Sequence, residues 1–187
     1  MELIKLNSQS QIIKSLIIIF LGSIALAISA KVKIPFYPVP MTMQTFIVLV
    51  IGITLGPKFG SIALISYIFE GLIGLPVFAG TPEKGVGITY IIGPTGGYLL
   101  GYVTSAYLAG NINFNYSLPI RFFLLIVALS PVYILGLTWL GILFGFDKPL
   151  LEWGLVPFVL AEVFKIALLA IFIPKLISYR EFIYNKI

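Results

Sequence analysis

Three ionisable side chains fall well inside long apolar runs, and their chemistry needs an account first: Glu70, Glu162 and Lys165. A charge submerged in hydrocarbon costs several kcal/mol unless it is paired or wetted, so each marks a candidate site. Glu162 and Lys165 are three residues apart, which makes them neighbours on one helical face. Such a couple has two readings. Either the charges neutralise one another and merely survive burial, or they line a cavity and offer a neutral or zwitterionic ligand one acceptor and one three-proton donor. Glu70 has no obvious cationic neighbour on its own helix and stays open between a packing role and a site.

The composition narrows what else can react. The 187 residues include no His and no Cys, which removes imidazole bases, thiolate nucleophiles, His/Cys zinc sites and disulfides. A Ser–Lys arrangement is the remaining route to an intramembrane enzyme, and no Ser lies within a turn of Lys165. No enzyme, cofactor or metal is therefore expected. The net charge of +5 comes from scattered single residues without a block of five or more, so no nucleic-acid partner is expected either. With 59% apolar and 10% charged residues and a mean hydropathy of +1.09, against about a quarter charged in soluble domains, the chain reads as an integral membrane protein in contact with lipid.

The elements that must position the charges are helices. Crossing the hydrocarbon layer takes about 20 predominantly apolar residues, and that length predicts six spans: Gln11–Ala30, Met41–Leu55, Phe59–Ala79, Ile88–Ala109, Ile120–Phe146 and Trp153–Ser178. Pro131, Pro157 and Pro174 predict bends in the last two. The first apolar stretch is too long for a cleaved signal peptide and is read as a span. Lys5, Lys14, Lys58, Arg121, Lys175, Arg180 and Lys186 fall on one face, and Lys31, Lys33, Lys84 and Lys148 on the other. That asymmetry predicts both termini inside the cell, in an all-α, multi-pass protein of the cell membrane. The longest gap between spans is about ten residues, so residues 1–187 are expected to form one bundle, with any ATPase on another polypeptide.

Two stretches depart from a plain bundle. Lys31–Pro40 carries three prolines in six residues, Pro35, Pro38 and Pro40, which hold the backbone extended. Apolar and aromatic, it suits a lid, or a rigid connector with Tyr37 anchored at the headgroup level. Next come Thr42, Gln44 and Thr45 at the start of the second span, with Thr42 a candidate N-cap and Gln44 a candidate cavity residue. The second stretch runs from Gly74 through Gly80 and Gly87 to Gly93-Pro-Thr-Gly-Gly-Tyr98. Non-helical backbone at membrane depth survives only under protein cover or beside a wet cavity, so a pocket on the outer side is expected. The run lacks the Gly-Lys-Ser/Thr ending of a phosphate-binding P-loop. Small residues recur every four positions at Gly97, Gly101, Ser105 and Ala109, with similar pairs at Ser23/Ala27 and Ala25/Ser29. These stripes let helices approach closely, within the bundle or against a partner.

Four motifs together resemble the BioY family, the biotin-capturing S component of energy-coupling factor (ECF) vitamin transporters. They are Ile34-Pro with Pro38-Val-Pro-Met-Thr-Met-Gln-Thr-Phe46, then Gly71-Leu-Ile-Gly-Leu-Pro-Val-Phe-Ala-Gly80, Gly93-Pro-Thr-Gly-Gly-Tyr-Leu99, and Pro157-Phe-Val-Leu-Ala-Glu-Val-Phe-Lys165. The resemblance implies a six-helix bundle that binds biotin near its outer face, together with a transmembrane coupling subunit and two cytoplasmic ATPase subunits. Where the family usually has Asp, this chain has Glu162, one methylene longer. Its loop with Glu83 and Lys84 is also more charged than the Gly-rich form.

For biotin, the couple suits the ureido head, with Glu162 accepting an N–H and Lys165 donating to the oxygen. The competing assignment pairs Lys165 with the tail carboxylate. Gln44, Thr95 and Tyr98 are the candidates for further hydrogen bonds, and Phe36, Tyr37 and Phe78 for apolar cover of the ring. The alternative function is a solitary ion-coupled carrier that relays protons through Glu70 or Glu162. Such carriers favour inverted repeats, and the six spans show none.

Overall fold

The computed structural model describes residues 2–34, 37–83 and 85–186. Its elements are α1 (Glu2–Lys31), β1 (Lys33–Ile34), β2 (Met41–Thr42), α2 (Gln44–Leu72), α3 (Ile88–Ile91), α4 (Gly96–Asn111), α5 (Leu118–Phe144), α6 (Leu150–Gly154) and α7 (Val156–Lys186). Among the described residues, four stretches are long and apolar enough to cross a membrane: Gln9–Lys31, Gln44–Leu72, Leu118–Phe144 and Val156–Asn185. Apolar side chains point outward along them, among them Leu16, Phe20, Phe123, Leu160 and Phe164, each at least half exposed. Faces of this kind suit lipid rather than water. The molecule is a mostly helical integral membrane protein.

The second and third predicted spans meet inside α2. At Gly56 the backbone leaves the helix with φ 72° and ψ 177°, a conformation that a side chain would strain. Pro57 follows and starts the next limb. A Cβ built on Gly60 would lie 3.3 Å from the Cα of Gly52, whereas eight residues of straight helix span about 12 Å. Limbs 44–55 and 57–72 therefore fold back on one another as a hairpin.

Several boundaries differ from the sequence expectation: α1 begins at Glu2 rather than Gln11, α2 at Gln44 after the strand Met41–Thr42, and α7 runs to Lys186 rather than Ser178, and three more differences lie beside the irregular stretches. The third span was expected to run to Ala79, but the helix stops at Leu72 and residues 73–83 are irregular. The fourth was expected from Ile88; instead one turn of α3 precedes a break at Gly93-Pro94-Thr95, and α4 begins at Gly96. At 16 residues, α4 is shorter than the about 20 that a full crossing needs. The sixth was expected from Trp153, but α6 ends at Gly154 and α7 starts at Val156. Pro157 thus sits in the first turn of α7, where its missing N–H costs nothing, rather than bending the helix from within.

Small residues bring the helices together. A Cβ on Gly101 would lie 2.5 Å from Val132 Cα, and one on Gly97 would overlap Trp139, so one face of α4 meets the backbone of α5. On another face, Gly52 of α2 approaches Ala106, and its added Cβ would stand 3.0 Å from Ala109. The α4 stripe is thus used inside the bundle. On α1, Gly22 faces Ala63 and the fully buried Ser23 donates to Glu70, so this face packs on α2.

Candidate functional site

Helices α2, α4 and α7 begin at one end of the bundle, where the two irregular stretches also lie. Between them is a small cavity, with about 40 Å³ of free space. Val39 and Pro40 of the proline-rich stretch line it, as do Phe78 and Ala79 of the glycine-rich one. The backbone that cannot be helical therefore roofs a cavity.

Its polar wall is built by α2 and α7. Lys33 pairs with Thr42 and Ile34 with Met41 in an antiparallel ladder, which delivers the chain to the start of α2. Met43 holds the N-cap position, and the Gln44 N–H donates to Thr42 Oγ1 at 3.3 Å; Thr42 caps from one residue further out than expected. Thr45, on the first turn, donates to Glu162 Oε1 at 2.8 Å. Lys165 donates to the same oxygen at 2.9 Å, to Thr45 Oγ1 at 3.0 Å and to the Thr42 carbonyl at 2.6 Å. All three ammonium protons are thus satisfied by protein, and Glu162 and Lys165 are both buried. The couple is electrically neutral, and its carboxylate lines the cavity. Tyr133 lines the same cavity as Glu162.

The remaining walls are aromatic. Phe78 is fully buried, stacked on Tyr90 at 4.8 Å and edge-on to Tyr67 at 5.4 Å. Tyr98 stands at 90° to Tyr133, with centroids 6.1 Å apart. One acceptor-bearing wall facing several rings suits a flat ligand with a neutral N–H-donating head and an apolar body. Among the described residues no three His, Cys, Asp or Glu side chains gather as a metal site.

The model of the BioY family matches residues 4–181. This chain belongs to the BioY family. Among its BioY relatives, a probable biotin transporter of Pyrococcus horikoshii is 33% identical over 141 residues, which cover 75% of this chain and 82% of the relative. The biotin transporter BioY of Thermotoga maritima is 34% identical, over 78% and 85%. BioY2 of Lactococcus lactis is likewise 34% identical, over 84% and 87%. Among solved structures, the S-component for biotin from an ECF-type ABC transporter superposes with a TM-score of 0.72 at 25% identity, covering 89% of this chain and 92% of that one.

Within this BioY chain the expected residues separate into three groups. Glu162, Gln44, Thr95, Tyr98 and Phe78 all line the cavity. The Tyr98 hydroxyl, expected to face the ligand, donates instead to the Gly154 carbonyl at 2.9 Å, so this residue presents its ring. Gln44 Nε2 donates to Tyr67 Oη at 2.7 Å, and that hydroxyl donates on to the Val77 carbonyl at 3.2 Å, which fixes the amide. Lys165 stands behind Glu162 and outside the cavity lining, where its protons hold the carboxylate and β2 in place. Tyr37 is 80% exposed and lies outside the lining, while Val39 and Pro40 after it face the cavity. Phe36 lies outside the described residues. Glu70 is also outside the cavity, hydrogen-bonded by Ser23 at the α1–α2 contact.

Sequence reasoning missed Thr45 as the partner of Glu162, and it missed Tyr102 and Tyr133 in the lining. Tyr102 was findable, being one turn from Tyr98 on the same face. Tyr133 carries no local signal in a span that is apolar throughout.

Proposed function

We propose that this chain is the biotin-binding S component of an ECF-type uptake transporter. The observation that carries the reading is the neutral Glu162–Lys165–Thr45 cluster set into the wall of an aromatic cavity. The Glu162 carboxylate accepts a ureido N–H of biotin, Gln44 and Thr95 supply further polar contacts, and Phe78, Tyr98 and Tyr133 enclose the thioether ring. The names of the relatives and of the structural neighbour favour the same ligand.

In this reading α1, the two limbs of α2, α4, α5 and α7 form a bundle of six helices, of which the limbs of α2 and α4 are shorter than a full crossing. Both termini lie inside, in a cell membrane. No nucleotide site is assigned to the chain, so transport draws on a separate transmembrane coupling subunit and two cytoplasmic ATPases. Residues 1–187 act as one substrate-binding unit.

Isothermal titration of the purified chain with biotin tests the ligand. Saturable 1:1 binding that desthiobiotin competes for is the expected result, and absence of heat with ligand-free protein would falsify the reading. Uptake of labelled biotin into cells that express the chain with and without the coupling module tests the partner: accumulation without any ATPase sinks the ECF assignment.

A further inference from the structure

A second concave feature lies on the outer surface of the bundle, behind the cavity wall. It is a groove of about 250 Å³ between the β1–β2 ladder, the first turn of α2 and one face of α7. Met41, Met43, Phe46, Phe164 and Leu168 make its walls apolar, and its two charged lining residues, Lys33 and Lys165, are both cationic. The two lysines are not equivalent. Lys165 spends all three protons on Thr42, Thr45 and Glu162. Among the described residues Lys33 makes one hydrogen bond, to the Ala79 carbonyl at 2.8 Å. Its ion pair with Glu83 is loose, at 3.6 Å to a carboxylate whose side chain is 77% exposed, and such a pair contributes little.

The groove therefore has a polarity. One end carries the Lys33 side chain, whose ammonium is held by the Ala79 carbonyl and only loosely paired with Glu83, and from there an apolar trough runs along α7 over Phe164 and Leu168. A phospholipid with a net negative headgroup has the same polarity, an anionic phosphate followed by an acyl chain. A partner helix or a second copy would match the groove only with an acidic residue set opposite Lys33, and a zwitterionic lipid would bring a cation with its phosphate. Methionine lining adds walls that adapt to a flexible chain.

We infer that this groove is a binding site for one anionic phospholipid, its phosphate on Lys33 and an acyl chain between the β1–β2 ladder and α7. The inference needs only the membrane placement and stands apart from the identity of the transported ligand. The lipid would rest against the outer side of the Thr42–Lys165 contact that holds the cavity wall.

Native mass spectrometry of the delipidated, full-length chain with an equimolar mixture of dioleoyl phosphatidylglycerol and dioleoyl phosphatidylcholine tests the site. The expected result is a first adduct favouring phosphatidylglycerol by about five-fold, the worth of one lysine near a charged lipid surface. Lys33→Gln should abolish that preference, while Lys148→Gln, in another loop, should leave it intact. Ala161→Phe, which fills the trough, should suppress the first adduct of both lipids. Equal adducts on the unaltered chain, or a preference that survives Lys33→Gln, overturn the inference. A protein dimer dispersed by Ala161→Phe would give the groove to a second copy and overturn it as well. If Ala161→Phe does not fold, the surface substitution Lys33→Gln still decides.

Discussion

The Thr45 hydroxyl and the Glu162 carboxylate, 117 positions apart in the chain, are joined by a 2.8 Å hydrogen bond that ties the first turn of α2 to α7. Lys165 bonds both partners, so the three side chains close a ring in which a carboxylate is held by one hydroxyl and one ammonium. A hydrogen bond to a charged group contributes about 1.5–3 kcal/mol. Thr45→Val keeps the shape of the side chain and removes its donor and acceptor together. It should weaken biotin binding about ten-fold or more while the chain still folds, as read by titration and thermal melting. Binding unaltered by the valine would mean that Glu162 is oriented by something other than Thr45.

Lys165→Ala tests the same ring from the other side. Removing one partner of a buried ion pair typically costs about 3–5 kcal/mol, because the remaining charge is left uncompensated. Glu162 would lose its counter-charge and the Thr42 carbonyl its donor. A lower melting temperature and a loss of biotin affinity of several kcal/mol are expected together, in a protein that still inserts. Affinity retained in titration of the purified variant would remove Lys165 from the site.

How much of this was legible in the chain depends on what each residue contrasts with. Glu162, Lys165 and Gln44 stand out because charge and amide are costly in apolar runs; Glu162 and Gln44 line the cavity, and Lys165 stands behind Glu162. The proline- and glycine-rich stretches were legible as roof because they cannot be helical at depth. Tyr133 shows no contrast with its neighbours, and nothing local says that the Tyr98 hydroxyl reaches Gly154. Thr45 was visible as a polar residue, but its partner is set by how α2 crosses α7. The exposure of Tyr37 is likewise a tertiary outcome, since its composition fits a lid and a surface anchor equally well.

Gly71→Ala addresses the roof. A Cβ at Gly71 would overlap the ring of Phe78, which is fully buried, stacks on Tyr90 and lines the cavity. The added methyl must displace that ring, and overpacking of this kind costs about 1–3 kcal/mol. A melting temperature several degrees lower and weaker biotin binding are the expected outcomes. Wild-type values for both would show that the 73–83 segment shifts freely and that Phe78 does not depend on this close approach.

Glu70 separates an S component from a carrier that moves protons through its own carboxylates. It sits at the α1–α2 contact, accepts the Ser23 hydroxyl and lies outside the cavity lining, so it is not placed to touch a ligand there. Glu70→Gln preserves the shape of the side chain, and the new amide oxygen can still accept from Ser23. Biotin affinity within about two-fold of the unaltered chain is expected, since substitutions away from a site usually stay within about 0.5 kcal/mol. With the coupling module present, uptake should continue and be insensitive to a protonophore while ATP is maintained. Uptake that collapses in Glu70→Gln while binding is unchanged would place an ion-coupling step at this carboxylate and overturn the division of labour in which the energy is supplied by another polypeptide.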